Sequence, residues 1–124
     1  MATRLNNLAD FYQKLGRYVE AKHSYQRALT IQERVFGTKH PNLVYILGSL
    51  AALYGKQRYY RDAEPLYQRA LKICELTKPL YHPRTLDVLQ SYENMLRMAK
   101  WNRKAEEIEG RIKEMQMEIS GEQP

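Results

Sequence analysis

The side chains best suited to nucleophilic or metal chemistry are three histidines, His23, His40 and His82, and one cysteine, Cys74. They do not form a set. Cys74 has no Cys or His at metal-ligand spacing, and without a second cysteine it cannot close an internal disulfide. A lone cysteine of this kind reads as a small, partly buried helix residue in a reducing, cytoplasmic compartment. His40 and His82 each precede a proline at matching places in the chain, which makes them parts of a recurring loop. There is no glycine-rich phosphate loop and no serine elbow. The Asp and Glu residues are numerous but dispersed, so the roles of nucleophile, base and oxyanion donor cannot be filled in one place. The expectation is a protein that is not an enzyme and needs no cofactor or metal. Recognition by exposed polar and basic side chains is the chemistry left to it.

Charge narrows the partner. The 124 residues carry a net charge of +6, which favours anionic ligands. Lys and Arg are spread along the chain among Asp and Glu, without a block of one sign, so a nucleic-acid arm is not expected. A mean hydropathy of -0.67 and the lack of a long apolar run argue against a membrane span. Met1-Ala2-Thr3-Arg4 does not lead into the apolar stretch of a secretory signal. The length suits one domain.

The elements that must position these groups are repeated. Leu5-Asn-Asn-Leu-Ala-Asp-Phe-Tyr12 matches Leu47-Gly-Ser-Leu-Ala-Ala-Leu-Tyr54. Tyr25-Gln-Arg-Ala-Leu-Thr-Ile31 matches Tyr67-Gln-Arg-Ala-Leu-Lys-Ile73, and His40-Pro41 matches His82-Pro83. All fall at a shift of about 42 residues, where about 16 positions between Thr3 and Pro41 are identical. A third copy is degraded. Leu89, Ala105 and Glu106 fall in register, but Glu93 stands at the place of Ala9 and Ala51, and Glu109 at the place of Tyr25 and Tyr67. A polar last unit is what a stacked array needs where it meets water.

Within a unit the period is helical. Leu5, Leu8, Ala9 and Tyr12 follow i, i+3, i+4, i+7, as do Ala21, Tyr25, Ala28 and Leu29. Gly16 suits a left-handed helix end, Pro41 and Pro83 suit first helical positions, and Pro65 is expected inside a first turn. The fold class expected is all-α: an α-solenoid of three antiparallel helix hairpins. Its six helices are placed near 2–14, 18–36, 41–56, 61–77, 83–99 and 102–119. The three units, about 3–41, 45–83 and 87–119, make a single domain over 1–119, with a frayed tail at 120–124.

The order of large and small residues resembles the tetratricopeptide repeat. It runs Leu5, Leu8-Ala9, Tyr12, Gly16, Tyr18, Ala21, Tyr25 and Ala28-Leu29. Leu50-Ala-Ala-Leu-Tyr54, Asp62-Ala-Glu-Pro-Leu-Tyr-Gln-Arg-Ala-Leu71 and Gly37-Thr-Lys-His-Pro41 resemble its kinesin-light-chain type, which is also common in bacterial repeat arrays. Tyr92-Glu-Asn-Met-Leu-Arg97 and Arg103-Lys-Ala-Glu-Glu-Ile-Glu109 look like the terminal repeat of such an array. Arg58 and Lys100 depart from the pattern by replacing the turn glycine.

The resemblance implies a protein-interaction scaffold whose first helices line a concave groove for a peptide. Groove-facing positions then follow from helix geometry. They are Asn6, Asp10, Gln13 and Lys14 in the first unit; Tyr45, Gly48, Ala52 and Lys56 in the second; and Gln90, Asn94 and Arg97 in the third. Asn7 matches the Asn of the family's Asn-Leu-Ala words, a residue that often bonds peptide backbone, and Ser49 takes its place in the second unit. Lys14 and Lys56 recur at one position, with Arg97 beside the third equivalent, so an acidic peptide partner is expected. Tyr12, Tyr25, Tyr54 and Tyr67 are expected in the core, and Tyr45 on the groove.

The alternative is an assembly module that self-associates through its first hairpin or last helix. Ile108, Ile112, Met115 and Ile119 form one stripe on that last helix, where a cap on the third hairpin is the plainer reading. The first copy has no preceding His-Pro loop, so the chain is read as the C-terminal piece of a longer array.

Overall fold

The computed structural model describes residues 2–76 and 83–121. They form α1 (Ala2–Lys14), α2 (Tyr18–Phe36), α3 (Leu43–Lys56), α4 (Tyr60–Leu76), α5 (Pro83–Met98) and α6 (Asn102–Ser120). No strand occurs among the described residues. Each odd-numbered helix pairs with the helix that follows it, giving three antiparallel hairpins stacked in chain order.

The helix ends show where local chemistry overrode the periodic signal. Helix α3 begins at Leu43, two residues later than expected. The Asn42 amide donates to His40 Nδ1 at 3.1 Å, and the Leu43 amide to the His40 carbonyl at 3.0 Å. This turn holds Pro41 outside the helix, while the His40 ring stacks on Phe36 at 4.5 Å between centroids. His40 is thus a loop-forming residue; its counterpart His82, and Tyr81, lie outside the described residues. Pro83 is the first residue of α5, as expected. Pro65 is not in a first turn: it follows five helical residues of α4 and has no N–H to offer the Arg61 carbonyl. Helix α6 continues through Ser120 to a left-handed Gly121, so the tail begins later than expected.

The three hairpin turns close alike. Arg17, Tyr59 and Trp101 each donate an amide to the carbonyl five residues back, Tyr12, Tyr54 and Leu96, all at 2.9 Å. This closure needs a left-handed residue just before each donor. Gly16 supplies it at φ 76°, whereas Arg58 and Lys100 adopt it at φ 66° and 63°. Losing the glycine therefore left the turn intact.

Packing explains why the small residues recur. Ala9, Ala21, Ala28, Ala51, Ala63, Ala70 and Ala105 are fully buried. They let paired helices approach closely, and a larger side chain there would overpack the interior. One cluster joins Ala9, Ala21, Tyr25 and Ala28 to Ile46, Leu50 and Leu53 of the next unit. Burying each such aliphatic side chain contributes roughly 1.5–3 kcal/mol. A larger cluster links α3 through α6 and includes Tyr67 stacked on Tyr92 at 5.3 Å.

In the third unit, two polar departures satisfy one another. The Arg97 guanidinium bonds Glu93 at 2.8 Å and Glu109 at 2.7 Å. The Glu93 side chain holds the guanidinium pKa above its ordinary value, while Lys113 and then Arg97 lower that of the Glu109 carboxyl. Ile108 and Ile112 are buried and Met115 packs on the same core, so the last helix caps the third hairpin; Ile119 stays exposed.

Candidate peptide-binding surface

The first helices form the inner side of the stack. Helices α3 and α5 touch directly. The second helices are joined instead by long ion pairs, Glu33–Arg69 at 2.7 Å between α2 and α4, and Glu64–Lys104 at 3.1 Å between α4 and α6. With α3 touching α5, and Asp10 of α1 bonded to Tyr45 of α3, the first helices share one face of the stack.

Two different surfaces occupy that face. At the first junction, Asp10 is the hub. Its carboxylate accepts the hydroxyl of Tyr25 from its own hairpin, and that of Tyr45 on α3 at 2.9 Å. Gln13 Oε1 lies 3.1 Å from the Tyr25 hydroxyl. Burial raises the Tyr25 pKa well above the ordinary phenol value, and the bond to Asp10 raises it further. Tyr45 is shifted the same way, by desolvation and then Asp10. Both phenols therefore stay protonated and donate to a carboxylate whose charge is partly spent. Asn6, expected on the groove and one turn before Asp10 on α1, is buried instead, only 9% exposed, and its Oδ1 has no hydrogen-bond partner among the described residues.

At the second junction the face opens. A depression of about 270 Å³ lies among Gly48, Ser49, Ala52, Val88 and Ser91, with Tyr45, Arg84 and Asp87 at its rim. It exists because Gly48 and Ala52 have almost no side chain where the first unit carries Asn6 and Asp10. A Cβ added at Gly48 would meet nothing within 4 Å, so the space belongs to the surface rather than to the packing.

The residues expected on the groove thus divide. Asp10, Gln13 and Tyr45 come together in one bonded cluster, and Tyr45, Gly48, Ser49 and Ala52 share the depression. Asn7, Lys14, Lys56, Gln90 and Asn94 are exposed and do not line it. Lys14 and Lys56 have no acidic partner among the described residues, whereas Arg97 is bound by two carboxylates and is not an open cation. Sequence reasoning did not name Arg84, Asp87, Val88 or Ser91. Asp87 and Ser91 were within its reach, because they stand one repeat after Tyr45 and Ser49. Arg84 stands one repeat after Asn42, which precedes α3 and was not among the positions expected on the groove.

A family profile described as tetratricopeptide repeat matches residues 1–76. The chain belongs to the tetratricopeptide repeat family. Members of this family generally mediate protein–protein interaction, and the fold is typically a scaffold rather than an enzyme. Within the family, the solved structures it resembles are kinesin-light-chain-like. The crystal structure of BtubC (BKLC) from P. vanneervenii superposes with a TM-score of 0.90 at 25% identity, covering 99% of this chain and 49% of that one. A Podosopora anserina kinesin light chain protein of nearly identical TPR-like repeats gives 0.79 at 20% identity, with 95% of this chain and 56% of that one covered. A variant of that protein gives 0.81 at 19%, with 96% and 56% covered. The chain spans about half the length of these proteins. No curated protein sequence matches it. Among the described residues, no helix is long and apolar enough to cross a membrane, and no three His, Cys, Asp or Glu side chains gather as a metal site.

Proposed function

We propose that the chain binds a peptide segment of a protein partner along its concave face, and that the segment is acidic. The depression formed by Gly48 and Ala52 against Val88 and Ser91 carries this reading. It suits one small apolar side chain of an extended peptide, with hydroxyls of Ser49 and Ser91 available to its backbone. Lys14 on α1 and Lys56 on α3 have no acidic partner among the described residues, Arg84 and Asp87 add one charge of each sign at the rim of the depression, and Asp10 already receives two phenols. The balance favours negative charge on the ligand. Asn7, Gln90 and Asn94 extend the polar surface that such a segment would cross.

The test is a peptide-library selection at moderate salt, repeated with Lys14→Glu and Lys56→Glu. The expected winners are acidic segments with a small apolar residue, and each charge reversal weakens them several-fold, as does added salt. Selection of peptides indifferent to both reversals would remove the groove from consideration.

A second reading, self-association, rests on a separate observation. Leu50 and Leu53 of α3 are buried against the preceding hairpin, but their first-unit equivalents Leu8 and Phe11 are exposed, as is Leu15. On the last helix Met117 and Ile119 are exposed while Glu109 and Lys113 pair on its surface, so the three large apolar residues of the first hairpin make it the better candidate for pairing.

A further inference from the structure

The antiparallel path brings every hairpin turn to one edge of the stack, opposite the loops that join successive hairpins. Residues 13–20, 55–62 and 97–104, one span at the repeat shift, make this edge. These stretches hold nine of the chain's twenty Lys and Arg, and two of its fourteen Asp and Glu, Glu20 and Asp62. Three of the nine, Arg17, Arg97 and Lys104, are paired with carboxylates from neighbouring helix surfaces. The other six, Lys14, Lys56, Arg58, Arg61, Lys100 and Arg103, are exposed and lack an acidic partner among the described residues; Lys14 and Lys56 are the cations already given to the concave face, which leaves Arg58, Arg61, Lys100 and Arg103 to the edge alone. Along the sequence these cations are scattered over three distant stretches, and only the stacking gathers them.

Backbone geometry adds a second, independent observation. Arg58 and Lys100 hold left-handed conformations that a side chain makes costly. The first turn shows that glycine closes the same hydrogen bonds without that cost. The fold therefore sustains strain at two turn tips whose side chains are both cationic, exposed and without an acidic partner among the described residues. Strain of this kind, kept where a cheaper residue fits, marks a functional surface.

We propose that this turn edge is a second binding surface, which takes an acidic polypeptide segment laid across the three turns. Stacked helices lie about 10 Å apart, so the three turns span about 20 Å. An extended chain covers that distance in about six residues, enough to place carboxylates beside each turn. The rings along the edge disfavour nucleic acid, because base stacking needs open faces. Arg17 covers Tyr12 at 5.1 Å and Lys104 covers Trp101 at 5.4 Å, which leaves Tyr59 as the exposed ring among them. The edge binds whatever occupies the groove, since Arg58, Arg61, Lys100 and Arg103 lie outside the depression.

The test uses the full chain, a labelled oligoglutamate of about ten residues and an oligothymidylate of equal charge, read by fluorescence anisotropy. The double variant Arg58→Gly, Lys100→Gly is expected to bind oligoglutamate about tenfold more weakly at low salt, as two exposed charge contacts allow. It should unfold at the same temperature or higher, because the strain is relieved. A control, Arg34→Gln with Lys39→Gln, removes equal charge near the opposite edge and should change affinity less than about twofold. Equal weakening by both pairs would reduce the effect to net charge and overturn the proposal. So would unchanged affinity in the glycine pair, or tighter binding of oligothymidylate than of oligoglutamate.

Discussion

Replacing Tyr25 with phenylalanine removes a single oxygen, yet it reaches the Asp10 hub from the inside. The Tyr25 ring is buried, and its hydroxyl is donated to a half-buried carboxylate. A hydrogen bond to a charged group contributes about 1.5–3 kcal/mol, and here its loss also leaves Asp10 short of a donor where water enters poorly. Tyr45→Phe removes the other donor, at 2.9 Å, but Tyr45 is 49% exposed and water can replace it. Its expected cost is about 0.5–1 kcal/mol. The double variant should deviate from additivity by at least about 0.5 kcal/mol, because both hydroxyls serve one carboxylate. Urea unfolding of the four proteins, followed by helix circular dichroism, measures all three quantities. In thermal unfolding the Tyr25→Phe loss corresponds to roughly 5–10 °C. If Tyr25→Phe lies within about 0.5 kcal/mol of the parent, or if the two changes simply add, the hub does not lock the first junction and the reasoning fails.

Two further outcomes follow from the same packing. Burial pushes the Tyr67 and Tyr92 phenols up to about 12, from an ordinary value of 10.0. Their folded pKa is raised, so their stabilising effect is complete below pH 10 and is lost as pH climbs from there towards about 12. Each contributes up to roughly 2–3 kcal/mol to that loss, and a stability curve that stays flat across this window would refute the burial argument. Sedimentation of the chain over a range of concentrations tests the exposed face of α1. Association that Phe11→Glu abolishes is expected if that face pairs, and a monomer at every concentration would retire the self-association reading.

Much of the architecture was legible in the residue order. The 42-residue shift locates the paired helices because buried alanines and tyrosines must recur wherever the same packing recurs. The places where it misled are equally specific. Pro41 was expected to open α3, but the His40 imidazole captured the Asn42 amide and held the chain in a turn. Arg58 and Lys100 lack the glycine that the turn prefers, yet the hydrogen-bond closure forced both into the left-handed region. Local signals of this kind are outweighed by the closure of a whole hairpin.

The sequence by itself determined which residues are interior and which helices pair, since both depend on size and period within a few dozen residues. It also determined that the last unit ends in polar groups. Only the tertiary structure decided which charges remain open. Arg97 was counted as a groove cation until Glu93 and Glu109 closed on it, and Asp10 was a bare carboxylate until Tyr25 and Tyr45 reached it. The depression beside Gly48 and the basic turn edge likewise required stacking. Each is made by residues tens of positions apart, and electrostatic contact depends on distances in space that no periodicity records.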